Sequence, residues 1–255
     1  NSPDDYATVT GALAVISEFD LEKNELGYRY LKVRPLCRSR SQTSTYKPFA
    51  FTDSDTFAKL AEAAKVGNKL HLAYSSKEES LSAVTNCIGL IPGSDPQLKN
   101  EYIIIGAHFD HIGDNRDGTW NPGTLDNASG TAAMMELVRL VRENKQQPKK
   151  SILFMAFNGE ESGLNGSWSY CQGPVYPLDQ AVMINLDMVG ASSGIPLTLA
   201  VTSSKSDTSL RDELAEYAEQ LSISYEKGIE DGSDHTSFDN HGVPSVCLIN
   251  MDLSH

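Results

Sequence analysis

The rhythm of apolar and polar positions changes near residue 85. Upstream, strand-like stretches cover Thr8 to Phe19, Gly27 to Val33, Pro48 to Thr52 and Lys69 to Ser75. The two-residue alternation of a half-buried strand is clearest in Tyr28-Arg29-Tyr30-Leu31-Lys32-Val33. One helical stretch, Asp55 to Ala64, follows the third of these; a Thr/Asp/Ser cluster caps its start and Gly67-Asn68 closes it. Three strands, a helix and a strand, in that order, suggest a small closed barrel of the OB type. The segment Asn86-Cys87-Ile88-Gly89-Leu90-Ile91-Pro92-Gly93-Ser94-Asp95-Pro96 then sets turn residues after an apolar run. The domain boundary is placed there, with a β-rich accessory domain at 1–84 and a second domain at 85–255.

In the second domain the pattern alternates between continuous apolar runs and helical periodicity. Tyr102 to Ala107, Ser151 to Phe157, Ala181 to Leu186, Pro196 to Val201 and Val243 to Ile249 read as buried strands; Ala128 to Arg142 and Ser209 to Gln220 read as helices. Strands that are apolar throughout, separated by helices, predict a mainly parallel sheet covered on both faces, a three-layer α/β/α domain. In such sheets the chemistry sits on the loops beyond the carboxyl ends of the strands.

Composition narrows the partners. With 255 residues, 40% hydrophobic and 22% charged, the chain has the balance of a soluble protein with a sizeable core. Its 34 Asp and Glu against 21 Lys and Arg leave a formal net charge of −13, which repels a polyanion and speaks against a nucleic-acid partner. The apolar runs fall far short of the roughly 20 residues of a membrane-spanning helix, so no membrane span is expected. The four cysteines, Cys37, Cys87, Cys171 and Cys247, form no C-x-x-C pair, which removes a zinc ribbon or thioredoxin motif. Cys87 and Cys247 lie in strand-like runs and read as buried packing thiols. The opening Asn1-Ser2-Pro3-Asp4-Asp5 fits a polar leader, a tag remnant or the start of a mature secreted chain.

Four of the predicted strands run directly towards acidic residues or histidine. Ile103 to Ala107 leads into His108-Phe109-Asp110-His111, and Ile152 to Phe157 into Asn158-Gly159-Glu160-Glu161. Ala181 to Leu186 leads into Asp187, and Val243 to Ile249 towards Asp252 and His255. The loop Gly123-Thr124-Leu125-Asp126-Asn127-Ala128-Ser129-Gly130 opens the intervening helix. Carboxylates and imidazoles therefore converge on one edge of the sheet. Carboxylates gathered in one place raise each other's pKa unless a cation holds them, and a mixed imidazole and carboxylate set suits zinc or a related divalent metal. His108, Asp126, Glu161, Asp187 and a later histidine exceed what one tetrahedral site uses, so two ions are favoured. Of the adjacent pair Glu160 and Glu161, one fits a metal ligand and its neighbour a general base.

The ordered segments His108-Phe109-Asp110, Leu125 to Gly130, Glu160 to Ser167, Asn185-Leu186-Asp187-Met188, Gly232 to Phe238 and Gly242 to Val246 resemble the co-catalytic zinc aminopeptidases of the M28 peptidase family. The resemblance covers roughly residues 86 to 255. It implies two zinc ions, with His108 and Asp187 on different ions, Asp126 bridging both, Glu161 completing one set and Glu160 as the base. It further implies that Asp110 hydrogen-bonds the His108 ring, and that the Asp126-Asn127 peptide is cis. Leu125 departs from the family, where that position is often acidic. The family's last ligand is a histidine after the Gly-Val-Pro block. Here either the terminal His255 takes that part or the chain stops short of the real one.

The resulting expectation is a zinc-dependent exopeptidase, an aminopeptidase acting on peptide substrates with a metal-activated water and Glu160 as general base. Export from the cytoplasm is carried over from the family. The rivals are a mono-zinc enzyme like glutaminyl cyclase and a non-catalytic binding domain that kept the fold. His235 and His241 read as hydrogen-bonded framework, His71 as structural, and His111 as adjacent to the site and facing the cleft or solvent.

Overall fold

A computed structural model describes residues 15–18, 49–69, 71, 85–115, 118–144, 147–190 and 195–250. The chain divides into two compact units, Asn1–Leu81 and Ser82–His255. In the first, strand β1 (Val15–Glu18) pairs in parallel with β2 (Phe49–Thr52), and helix α1 (Ser54–Lys65) follows. Asp53 caps that helix by accepting the Thr56 backbone N–H at 2.8 Å, which satisfies one of the donors a helix start leaves open. The strand expected at 27–33 and most of that expected at 69–75 lie outside the described residues, and with them the barrel.

The second unit is built on a seven-stranded sheet. Its strands are β3 (Cys87–Ile91), β4 (Tyr102–His108), β7 (Ser151–Phe157), β8 (Ala181–Asp187), β9 (Leu197–Val201), β10 (Tyr225–Ile229) and β11 (Ser245–Ile249), in the order β10-β9-β11-β8-β4-β7-β3. The central pairings β11–β8, β8–β4 and β4–β7 are parallel, as is β10–β9; β11–β9 and β3–β7 are antiparallel. A two-stranded hairpin, β5 (Gly113–Asp114) and β6 (Trp120–Asn121), stands outside this sheet.

Both faces of the central strands are covered, which is why they read as unbroken apolar runs. On one face Ile104, Leu153, Met155, Phe157 and Met183 pack against Tyr170 and Cys171 of helix α3 (Asn165–Gln172) and Phe238 of α5 (His235–Asp239). On the other, Ala107, Phe154 and Leu186 meet Met134, Val138 and Val141 of α2 (Gly130–Glu143), while Leu199 and Val246 meet Leu210 and Ala215 of α4 (Ser209–Gln220). The three-layer arrangement read from the pattern is present. Helix α2 shows why: its sheet-facing residues recur every three or four positions, and the opposite face carries Arg139 paired with Glu136 and Glu143. Among the described residues no helix is long and apolar enough to cross a membrane.

Three features depart from the pattern. Strand β3 forms the sheet's edge, so Cys87 is exposed rather than a packing thiol, whereas Cys247 is buried as expected. Helix α3 forms from Asn-Gly-Ser-Trp-Ser-Tyr-Cys-Gln, a sequence without strong helix formers, because packing of Gly166, Ser167, Tyr170 and Cys171 outweighs propensity. The helix expected from Ala128 is preceded by a π-helical turn, Thr124–Ser129, in which Asp126 and Asn127 leave helical geometry.

Candidate metal centre

The carboxyl ends of β4, β7 and β8 and the π-helical turn before α2 deliver their polar residues to one place. His108 is the last residue of β4 and Asp187 the last of β8; both are buried. His108 Nε2 lies 3.2 Å from Asp126 Oδ1 and 3.4 Å from Asp187 Oδ1. Two groups have ligand atoms close enough to share an ion: His108 with Asp126 and Glu161, and His108 with Glu160 and Asp187. Five of the residues singled out in the sequence thus come together: His108, Asp126, Glu160, Glu161 and Asp187. His255 lies outside the described residues.

Several of these residues are held in place by neighbouring side chains. Asn127 is buried and accounts for the turn: its Nδ2 donates to Leu186 O at 2.9 Å, and its Oδ1 accepts the backbone N–H of Gly130 at 2.9 Å and of Met188 at 3.2 Å. One amide thereby ties the Asp126 turn to the end of β8. Gly130 is the only residue type that fits beneath it, since a Cβ there would stand 2.2 Å from Leu186 O. The Asp126-Asn127 peptide is cis, as the family resemblance implies. Asp187 is fixed from the other side, where Asn185 Nδ2 donates to Ser233 Oγ at 2.7 Å and that hydroxyl donates to Asp187 Oδ2 at 2.6 Å.

Asp110 acts differently from the expectation. His108 Nδ1 donates to the Asp110 backbone carbonyl at 3.1 Å, while the Asp110 carboxylate is 3.8 Å away. That carboxylate instead accepts the backbone N–H groups of Glu160 and Glu161, at 3.2 and 3.3 Å. The tautomer is still fixed, with Nδ1 as donor and Nε2 turned towards Asp126 and Asp187. His111 also differs: it joins the cluster, with Nδ1 at 2.7 Å from Glu161 Oε1 and 3.6 Å from Asp126 Oδ2. The signal available in the sequence was its place three residues after His108 on the same strand end.

His235 and His241 stay outside the cluster. His235 Nε2 donates to Glu230 O at 2.8 Å and burial pulls its imidazole down to about 4, so it is neutral framework. His241 is held between Ser237 O and Gln172.

Electrostatics show what this arrangement requires. Burial works against a charged His108, yet hydrogen bonds to Asp126 and Asp187 push its imidazole up to about 12. Burial raises Glu160 to about 9, with the charges of Asp234, Asp187 and Glu161 adding and His108 opposing. Burial likewise raises Asp126, against the His108 hydrogen bond. Burial also disfavours an ionised Asp187, but His108 and Ser233 outweigh it and hold the group below the ordinary range. His111 is raised, chiefly by Glu161. Four carboxyl groups around one buried imidazole draw positive charge to it, and Asp187 Oδ1 is sealed from solvent with no hydrogen bond of good geometry. A divalent cation answers both conditions, and the nitrogen and oxygen donors are those zinc accepts.

Comparison with known proteins fits this chemistry. A probable zinc metalloprotease of Pyrenophora tritici-repentis is 38% identical over 114 residues, which is 43% of this chain and 25% of that protein. BSAP, a zinc aminopeptidase from Bacillus subtilis, superposes with a TM-score of 0.55 at 27% identity, covering 67% of this chain and 41% of that one. An aminopeptidase from Aneurinibacillus sp. strain AM-1 shares the fold with a TM-score of 0.66 at 24% identity, over 98% of this chain and 57% of that one. A glutaminyl cyclase of Bacteroides thetaiotaomicron shares it at 0.54 and 22%, over 66% of this chain and 65% of that one. The chain thus matches about a quarter of the length of the Pyrenophora protein and under half of the Bacillus enzyme. Residues 86–254, about two thirds of the chain, match the profile of Peptidase family M28, and the chain belongs to that family.

Proposed function

We propose that this protein is a zinc-dependent aminopeptidase that uses two ions. The observation that carries the reading is two donor groups that share His108, one with Asp126 and Glu161 and the other with Glu160 and Asp187, more donors than one tetrahedral ion uses. In this assignment His108 and Asp187 would hold one zinc and Glu161 the second, Asp126 would serve both, and His255 is the candidate for the remaining ligand. It differs from the expectation carried over from the family, which put His108 and Asp187 on different ions; the 3.4 Å between His108 Nε2 and Asp187 Oδ1 supports placing them on one. Zinc in such a site lowers the pKa of water and polarises a carbonyl.

The chain's own residues supply the rest. Glu160 is buried with its carboxylate close to His108 and Asp187, so it is the group to take a proton from the attacking water and hand it to the leaving amine. Burial favours its protonated form, which suits the donating half of that cycle, and a cation nearby restores the ionised form needed for the accepting half. Asp110 fixes the backbone on which Glu160 and Glu161 sit, so base and ligand keep their spacing.

Glutaminyl-cyclase-like chemistry is the main competitor, sharing the fold but needing one zinc and no attacking water. Metal content per chain, measured with cleavage of aminoacyl-nitroanilides and cyclisation of an N-terminal glutaminyl peptide, separates them. Two equivalents of zinc and chelator-sensitive release of nitroaniline are expected. One equivalent with cyclisation, or no turnover on any substrate, overturns the reading.

A further inference from the structure

We infer that His111 is the positioning residue for Glu161, and that it sets the affinity of the ion on the Glu161 side of the centre without affecting the ion held by His108 and Asp187. The inference rests on the two-ion reading above and adds a residue to it.

Distance decides between ligand and positioner. Donor atoms that share an ion through bonds of about 2.0–2.2 Å in tetrahedral geometry lie roughly 3.3–3.6 Å from one another. His108 Nε2 keeps close to that spacing from Asp126 and Asp187, at 3.2 and 3.4 Å. His111 Nδ1 stands only 2.7 Å from Glu161 Oε1, which is the length of a charge-assisted hydrogen bond and too short for two ligands of one ion. Its Nδ1–H therefore donates to the carboxylate, and restrains how that carboxylate turns.

The seat of the ring is built for this contact. Gly123 has φ +68°, and a Cβ there would come within 2.8 Å of His111 Cβ, 2.9 Å of His111 Cγ and 2.9 Å of Asp126 O. Only glycine lets the loop that carries Asp126 close against the His111 ring. His111 Nδ1 also lies 3.6 Å from Asp126 Oδ2, so the ring sits between the two carboxylates assigned to the same ion. The segment His108-Phe109-Asp110-His111 then holds Glu161 twice, through the Asp110 carboxylate on its backbone N–H and through His111 on its side chain.

The test is a zinc titration of the metal-stripped full chain against a chromophoric chelator, with cobalt absorption as a second readout of each site's ligand field. Wild type, His111→Ala, His111→Asn and Gly123→Ala are compared, and circular dichroism of the metal-free proteins checks that each folds. Wild type is expected to take two equivalents. His111→Ala should weaken one of them about 10- to 100-fold and leave the other unchanged. His111→Asn, whose amide N–H reaches the Nδ1 position, should recover most of that loss, and Gly123→Ala, which crowds both the ring and Asp126 O, should weaken both equivalents. Two equivalents in His111→Ala at wild-type affinity overturn this inference alone. So does an Asn variant as weak as Ala, which would make the imidazole a ligand. A single equivalent in wild type overturns the two-ion reading and the inference with it.

Discussion

The two sides of the centre are made by different means. His108 and Asp187 are the last residues of neighbouring parallel strands, 1% and 6% exposed, and the pairing of β4 with β8 sets their spacing before any side chain chooses a rotamer. Asp126, Glu161 and His111 come from a turn and two loops, and the Asp126 and His111 side chains keep 34% and 20% of their surface in solvent. Spacing on this side depends on side-chain hydrogen bonds: Asn127 to β8, Asp110 to the Glu160–Glu161 backbone, and His111 to Glu161. A strand-held site is rigid because the sheet is; a loop-held site is rigid only as long as each of its ties is made.

The largest effect tests the residue assigned as the base. Glu160→Gln should lower kcat by about 10²- to 10⁴-fold while zinc content per chain stays at the wild-type value; unchanged turnover removes Glu160 as the base. Next comes Asp234, buried beside the Ser233 clamp of the strand-held side. Neither of its carboxylate oxygens meets a hydrogen bond of good geometry, and the Ser167 hydroxyl that would favour ionisation is engaged with Leu164 O and Ser237 Oγ. Burial raises this carboxyl from 3.8 to about 7. A folded pKa above the unfolded one means that its contribution is fully present below the unfolded value and is lost as pH rises through about 7. The urea midpoint of the metal-free chain should therefore fall between about pH 4 and pH 7, and Asp234→Asn should flatten that slope. An Asn variant with the wild-type slope would place the proton elsewhere.

Asn127→Ala joins the comparison directly, because this amide links the two sides. It removes the side-chain partner of the Met188 N–H and of Leu186 O, while the Gly130 N–H keeps Asn127 O; the cost is about 1–3 kcal/mol read from urea unfolding, and both zinc affinities should drop. If only the Glu161-side affinity drops, the strand ends hold their ion without help from the turn. Ser233→Ala is the smallest perturbation. It removes one hydrogen bond from Asp187 and should weaken the ion on the strand-held side by roughly 10-fold, the mirror of the effect expected at His111. Equal weakening of both ions would show that the two sides are not independent.

How much of this was legible follows the same division. The buried strands were visible because strands covered on both faces must be apolar throughout, and strand ends in such a sheet mark the site. That is enough to name His108, Glu160, Glu161 and Asp187; Asp126 is legible as the acidic residue of the loop that opens the next helix. The edge strand β3 and the polar Tyr225-Glu226-Lys227-Gly228-Ile229 strand, β10, lack that pattern because one side of each faces solvent. Asn127, Ser233 and His111 each make a side-chain hydrogen bond to a residue between 46 and 61 positions away, and no local periodicity encodes such a contact. Asp110 shows the limit most clearly. Its importance was readable, but whether its carboxylate or its carbonyl meets the imidazole depends on where the Glu160 loop folds back.

The contact between Gly123 and His111 has a consequence for how members of this family can diverge. The chain leaves the centre at His111, makes the β5–β6 hairpin, and returns to touch its point of departure at Gly123, so the excursion is closed at its neck. The entropy of closing a loop grows only logarithmically with its length. Residues can be inserted or removed at the hairpin tip while the neck, and the ligands on either side of it, keep their positions. Trp120, 68% exposed on that hairpin, therefore stands on a part of the molecule that evolution can lengthen, shorten or replace without renegotiating the metal chemistry.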